Sequence, residues 1–458
     1  MIARVSPRIL LGVILAVYLA LATLYAVRVP PWNAPDEPAH YNFIRSIAVK
    51  HRLPILKPGD YNQAQLAHLM SAHFPLSDSI AGLRYEFHQP PLYYLIAAPV
   101  FLATDHLGIR SQVVALRLVT SLIGALVILA TYRLARLIFP KSSLYPLAAA
   151  AFVAFVPMHV FMDAAIDNDA LAELMVTLTA IILAEDLNKR QSPRNDVRAG
   201  VVVGLAVLTK LVACISAVLV VIGFIGSAAL AADRRQAFRE VPLRLVRAGV
   251  IAAVISGWWF VRNMIIYGLG DPFALRRHAQ VVVGQPLTGH LTLHLIRQMF
   301  LTGFHSFWGQ FGWMGIPYAN RTYDVLATLS ILVALGVVFF AWRVLKAPSI
   351  MGKGIEGATG QLGFPSSAQR WILGLLVAEV ALVFVGVIFY NVRYLQPQGR
   401  YIFPALPALA IFAVLGISEL FRAEYHRLVF TLAVLAMCWL CAWSLFSVIG
   451  PAFAVAAS

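Results

Sequence analysis

Uncharged apolar stretches long enough to cross a bilayer recur along this chain, and no other feature constrains its fold as tightly. The first, Ile9 to Val27, is 19 residues without a charge, and about 20 such residues in a helix cross the hydrocarbon layer. The chain therefore reads as an all-α, polytopic integral membrane protein. Composition agrees, with 60% hydrophobic and 12% charged residues over 458 and a mean hydropathy of +0.77, which excludes a soluble core. Arg4 and Arg8 precede the first run and no small-residue cleavage site follows it, so it reads as an uncleaved first span. The net charge of +15 belongs with basic cytoplasmic loops and anionic lipid head groups rather than with nucleic acid. Cys214, Cys438 and Cys441 all lie in apolar segments and read as packing residues.

Charge bias sets the expected topology. Pro90 to Thr104 is uncharged but only 15 residues long and opens with two prolines, so it reads as an interfacial or re-entrant helix. The basic stretches Arg133 to Lys141, Lys189 to Arg198 and Arg234 to Arg247 then all fall in the cytoplasm, as the positive-inside rule requires. Ala199 to Ala232, interrupted by Thr209-Lys210, is too long for one span and reads as two helices turning at Lys210 on the outer surface. The result is about eleven spans, at 9–28, 112–135, 143–162, 169–187, 197–209, 212–231, 248–267, 322–343, 371–390, 402–420 and 428–449. They form a single domain over 1–458 with a cytoplasmic N-terminus. Outside lie a first loop at 29–111, carrying interfacial helices, and a long loop at 268–321; inside lies a linker at 344–370, rich in Gly, Ser and Pro.

Polar residues gather on the outer side. Asp36 and Glu37 open a helix reaching to Lys50, with Phe43, Ile44 and Ile47 as its apolar face and His40 one turn beyond Asp36. Capping chemistry accounts for one acid at that helix start, less easily for two. Tyr85 to Tyr94 places His88 before the interfacial helix, either as a metal or phosphate partner or as part of an aromatic and histidine belt. Asp163, Asp167 and Asp169 are three carboxylates where a span begins; capping by Asp167 or Asn168 explains one of them. Ser306 to Met314 is an aromatic run that lines an acceptor groove or, the favoured reading, anchors at the interface.

In fixed order, these pieces resemble the GT-C superfamily of membrane glycosyltransferases that use polyprenyl-phosphate-linked sugars. The similarity is to the branch holding protein O-mannosyltransferases and the lipid A aminoarabinose transferase. It is carried by Asp36-Glu37 after the first span, His88-Gln89-Pro90-Pro91-Leu92, Arg117, Asn168-Asp169, Gly204 to Lys210, Trp258 to Asn263 and Gln398 to Pro404. The resemblance implies a GT-C fold, with Asp36 as the general base, Glu37 supporting it or binding the acceptor, and Asp169 as a second catalytic carboxylate. Lys210, Arg400, Tyr401 and His40 are implied near the donor phosphate, and His88 and His278 as candidate ligands of a divalent metal. No counterpart of these relatives' soluble C-terminal domain or luminal β-trefoil is expected, which leaves the acceptor unassigned.

The chemistry is coherent without the family. Glycosyl transfer from a polyprenyl phosphate needs a base, a cationic cradle for the leaving phosphate and an apolar slot for the lipid. Asp36, Arg400 with Lys210, and bilayer-facing helices answer these needs in turn. One displacement with Asp36 as base would invert the anomeric centre. The expected protein is thus a multi-pass enzyme of the plasma (inner) membrane with an extracytoplasmic site, whose partners are the lipid-linked sugar and membrane lipids. Two alternatives stay open: a transporter or flippase of lipid-linked sugar, for which Glu379 is the clearest mid-span acid, and a relative that binds without catalysis.

Overall fold

The computed structural model describes residues 6–189, 192–346, 363 and 365–455. Its helices, in chain order, are α1 Pro7–Arg28, α2 Glu37–Lys50, α3 Gln63–Ser71, α4 Leu92–Thr104, α5 Ile109–Ile138, α6 Leu144–Phe155, α7 Pro157–Asp163, α8 Asp169–Lys189 and α9 Pro193–Val207. They continue as α10 Ile215–Leu230, α11 Arg234–Tyr267, α12 Leu275–Val281, α13 Leu293–Trp308, α14 Asn320–Lys346, α15 Ser367–Arg393, α16 Leu406–Leu420, α17 His426–Trp443 and α18 Gly450–Val455. One two-stranded hairpin pairs β1 Gln310–Phe311 with β2 Ile316–Pro317 in antiparallel register. Helices dominate because in lipid each backbone N–H and C=O must find its partner inside its own segment.

Among the described residues, eight helical runs are long and apolar enough to cross a membrane, and nine if α6 and α7, bent by 65° at their junction, count as one. The chain is a multi-pass membrane protein. A count of eleven is not confirmed: α8 and α9 are helical where spans are expected but fall outside that measure of length and apolarity. The bend has a local cause, since Pro157 leaves Val156 extended (φ −70°, ψ 117°) and stops α6 one residue earlier. The apolar run interrupted at Thr209-Lys210 does break there: α9 ends at Val207, and a turn at Leu211–Cys214 leads into α10. The segment expected to be interfacial or re-entrant forms α4, only 13 residues long. The Gly352-Lys353-Gly354 part of the 344–370 linker lies outside the described residues.

One element differs from expectation. Helix α2 is not amphipathic in place, for His40, Tyr41 and Asn42 are buried along with Phe43 and Ile44. The aromatic run at 306–314 is drawn into the tertiary structure. It folds into the end of α13 and the hairpin, with Phe311 fully buried and Trp313 Nε1 donating to the Trp32 carbonyl at 2.8 Å, so it ties the long loop to the first loop.

Ion pairs mark the two ends of the bundle. Asp169 opens α8 beside Lys210, while near the other end of α8 Asp186 takes Arg244 at 2.9 Å, and Arg133 and Arg198 share Glu185, each at 2.8 Å. The 17 residues from Asp169 to Asp186 separate those groups by about 25 Å of helix. Between them the helices pack through small residues, most closely where α14 crosses α16. A Cβ built on Gly336 would collide with the Gly416 carbonyl, and one on Gly416 with the Val333 carbonyl. Backbones approach this closely in membrane bundles only where side chains are missing. Gly416→Val should therefore destabilise the protein by about 1–3 kcal/mol, read as a lower thermal midpoint in detergent, whereas Gly374→Val, at a site with open space around it, should not.

Candidate active site

Asp36 lies where the chain turns into α2. Its backbone is left-handed (φ 66°), and its side chain caps nothing. Such a conformation in a non-glycine residue costs energy, and here it aims the carboxylate away from the helix end. Oδ1 accepts from Tyr85 Oη at 2.9 Å, and Oδ2 accepts from Arg400 Nη2. Arg400 spans the site: Nη1 donates to Asp167 Oδ2 at 3.2 Å and Nε to Gln398 Oε1 at 2.7 Å. Asp167 Oδ1 accepts the Asp169 N–H at 2.9 Å and faces His40 Nε2 at 3.7 Å and Lys210 Nζ at 3.9 Å, while Lys210 donates to Asp169. Acids and bases thus alternate along one path: Asp36, Arg400, Asp167, Lys210, Asp169.

Exposure separates their roles. The side chains of Asp36 and Lys210 keep 25% and 19% of their surface open, against 2% for Arg400 and 1% for Asp167. Burial works to raise the Asp36 carboxyl, but the Arg400 guanidinium outweighs it and holds the carboxyl below its ordinary range. Burial, then the charge of Asp169, push Asp167 up to about 7 despite Lys210 and Arg400. Lys210 is held above the usual lysine range, because Asp169 and Asp167 outweigh its burial. His40 is lowered, mainly by burial, and its Nδ1 contacts Tyr94 Oη at 2.8 Å. Glu86 is raised by burial, and its Oε2 has no hydrogen-bond partner among the described residues. Tyr401 sits beside Arg400 with its hydroxyl on Gln396 Oε1 at 3.1 Å.

His88 and His278 meet, with ring centroids 4.3 Å apart. His88 Nδ1 is 2.9 Å from the Tyr85 carbonyl, so Nε2 keeps its lone pair. Burial pushes His88 down to about 4 and His278 well below the ordinary range. Two neutral imidazoles result. Among the described residues no three His, Cys, Asp or Glu side chains converge as a metal site, and catalytic zinc sites draw three ligands from the protein. The pair would supply two of those three.

Two expectations need correction. The Glu37 side chain does not reach the open site, because it is fully buried and its carboxylate is used up. Arg117 Nε and Nη2 grip its two oxygens at 2.7 Å each, and the backbone N–H groups of Trp32 (2.8 Å) and Ile166 (3.2 Å) complete the set. Asp163 does not join Asp167 and Asp169; it turns inward to Tyr18 Oη at 2.6 Å. The site also contains residues to which the sequence assigns no definite role. Asp167 reads there as one of three carboxylates and a possible cap; it does hold the Asp169 N–H, but it also holds Arg400. Tyr85 and Glu86 carry no signal beyond their place beside His88.

The fold defines a class, the polytopic membrane proteins of GT-C fold. The chain belongs to the family described as Predicted membrane protein (DUF2142), whose model matches residues 82–409. Among solved structures it is similar to ArnT from Cupriavidus metallidurans in the apo state, at 15% identity and a TM-score of 0.51, over 98% of this chain and 73% of that one. The same protein bound to undecaprenyl phosphate gives 16% and 0.49, over 98% and 74%. The oligosaccharyltransferase AglB from Archaeoglobus fulgidus, in complex with an inhibitory peptide and a dolichol-phosphate, gives 15% and 0.49, over 96% of this chain and 56% of that one. This chain thus spans little more than half the length of that oligosaccharyltransferase. No curated protein matches the sequence.

Breaking the Arg117–Glu37 pair from one side strands a buried charge. Arg117→Met should cost about 3–5 kcal/mol in thermal or denaturant unfolding, and Arg117→Met combined with Glu37→Leu should be more stable than Arg117→Met alone.

Proposed function

We propose that the protein transfers a sugar from a polyprenyl-phosphate donor to an acceptor on the extracytoplasmic side of the membrane, with inversion. The observation that carries the reading is the pairing of Asp36, partly open and held ionised, with Arg400 and Lys210 in one charge-alternating path. A phosphate arriving there is a stronger partner for Arg400 than a carboxylate is, since a guanidinium fork binds its oxygens in pairs. By taking Arg400 Nη2 it frees Asp36 Oδ2. Donor binding thereby creates the base: Asp36 accepts the proton of the acceptor's hydroxyl or amine as that atom attacks the anomeric carbon, and the bond to phosphate oxygen breaks. Arg400 and Lys210 stabilise the charge that develops on the departing phosphate. Tyr85 keeps Asp36 oriented through Oδ1, and Asp167 and Asp169 hold the two cations at their stations.

Relatives of the fold bind undecaprenyl phosphate and dolichol-phosphate, which supports a lipid-phosphate donor here. His88 and His278 would hold a divalent ion only with further ligands from phosphate or water, and such an ion would add positive charge at the leaving group. The basic end of the bundle around Arg133, Arg198 and Arg244 faces the cytoplasm of the plasma membrane in this reading, and the site faces outward, with the N-terminus inside.

Topology has a direct check. In a background lacking the native cysteines, a cysteine at exposed Ser77 should react with an impermeant thiol reagent in intact cells, and one at exposed Arg235 only after permeabilisation. The reverse pattern would defeat the outward site.

The chemistry is tested in proteoliposomes with a defined polyprenyl-phosphate sugar. Asp36→Asn should lower the transfer rate by about 10² to 10⁴ while donor binding persists. Arg400→Ala should weaken donor binding by about 1.5–3 kcal/mol. Because Arg400 depresses the Asp36 carboxyl only while it pairs with it, the acid limb of kcat/KM, set by the free enzyme, should lie at lower pH than that of kcat, set by the complex. Full transfer by Asp36→Asn, or export of intact lipid-linked sugar without transfer, would rule the mechanism out.

A further inference from the structure

Beneath the outer site, the turn at 164–168 is closed by ionisable groups that the transfer step does not use. His159 on α7 meets Glu173 on α8, with Nε2 and Oε2 2.9 Å apart. The other ring nitrogen, Nδ1, lies 3.0 Å from the Val153 carbonyl and 3.4 Å from Asp163 Oδ2. Both ring nitrogens therefore face oxygen. Nδ1 carries hydrogen to satisfy the carbonyl, and the Nε2 contact needs a second hydrogen, on the ring or on the Glu173 carboxyl, because two lone pairs at that distance repel. Asp163 Oδ2 is already an acceptor for Tyr18 Oη on α1; Gly124 on α5 leaves the room, since a Cβ there would collide with both groups.

The second observation is a set of unpartnered carboxyl oxygens. Glu173 and Glu379 are almost fully buried, and Glu173 Oε1 and both oxygens of Glu379 have no hydrogen-bond partner among the described residues. Glu379, on α15, has a second acid, Glu173, within electrostatic range. Among the described residues neither acid has a Lys or Arg as an ion-pair partner; His159 is the one basic group on Glu173. An ionised carboxylate left like this inside apolar helices takes up a proton rather than remain charged.

We propose that His159, Glu173 and Glu379 form an intramembrane proton-binding site holding two exchangeable protons, one shared by His159 and Glu173 and one on Glu379. A proton fits better than a metal ion, which would need a convergent donor set not found among the described residues. The shared proton also has a structural role, since it clasps α7 to α8 across the base of the turn that presents Asp167 and Asp169. His159 lies eight residues before Asp167, and Glu173 four after Asp169. The other titratable groups around the clasp are Tyr18 on α1, Asp163 on α7, Asp169 on α8, Asp167 in the turn, and Cys441 on α17 beside Tyr18. Proton loss would leave lone pairs opposed in the clasp and release the turn. The sign follows from linkage: at neutral pH the folded chain holds a proton on Glu379 that the unfolded, solvated chain releases, so stability falls as pH rises. The proton site does not depend on what the outer site transfers.

The test uses the purified full-length protein in nanodiscs. Difference infrared spectra with hydrogen–deuterium exchange should show a carboxylic-acid C=O band at neutral pH that is lost in Glu379→Gln, a variant expected to fold because the amide is as neutral as the acid. The thermal midpoint of the wild type should fall from neutral to alkaline pH, and the slope should be smaller in Glu379→Gln. Glu173→Gln, whose amide N–H can replace the shared proton with a fixed hydrogen, should keep the midpoint at neutral pH and flatten its alkaline fall, whereas Glu173→Ala should lower the midpoint at every pH. The proposal is overturned if neither Gln variant removes a carboxylic-acid band, if both keep the wild-type pH slope, or if added sodium abolishes the band and raises the midpoint.

Discussion

The buried Arg117–Glu37 pair is the interaction on which the outer half of the molecule depends. Besides gripping both oxygens of Glu37, the guanidinium donates to the Ala26 and Val29 carbonyls through Nη1 and to the Pro30 carbonyl through Nη2. The Ala26 and Val29 carbonyls, at the end of α1, would otherwise lie without partners, while the Pro30 carbonyl also accepts the Asn33 N–H at 3.3 Å. Glu37 in turn takes the Trp32 and Ile166 N–H groups. One ion pair therefore joins the end of α1, the start of α2, the first third of α5 and the turn before α8. A buried pair of this kind contributes little net stability over apolar packing, and its worth lies in geometry. Asp36 precedes Glu37 and Asp167 follows Ile166, so the same clamp sets the positions of two carboxylates of the site.

Above the clamp, charges are kept in balance by alternation. Arg400 and Lys210 each lie between carboxylates, and no single one of these groups could be buried ionised by itself. In the transfer we propose, Asp36 is quiet while Arg400 holds it and would become an accepting base once a phosphate draws the guanidinium away, coupling donor binding to activation of the acceptor.

Below the clamp, the proton clasp at His159 and Glu173 applies the same rule with a different counter-charge. Where no Arg or Lys is in position, a hydrogen placed between two acceptors keeps the interior neutral. The turn at 164–168 is thus held from above by Glu37 and from below by His159, and its two carboxylates have little freedom to move.

Much of the architecture was legible in the sequence because lipid is an unforgiving solvent. Uncharged length marks most of the spans, Lys210 marks the break between α9 and α10, and 15 uncharged residues that open with two prolines mark a helix too short to cross. The gathering of Asp36, Lys210, Asp169 and Arg400 at one end was legible for the same reason, since charges must leave the hydrocarbon and loop order decides at which face. Side-chain partnership was not legible. Asp36 and Glu37 are neighbours of the same chemical type, yet the left-handed turn at Asp36 sends one carboxylate to Arg400 and the other into Arg117. Asp163, Asp167 and Asp169 read as one cluster, but a helix end, a turn and a helix start send them to Tyr18, Arg400 and Lys210. Sequence determined which groups had to leave the bilayer interior, because that cost depends on composition and length alone. Only the tertiary structure decided which charge met which, because a carboxylate's partner is set by backbone direction and by residues hundreds of positions away.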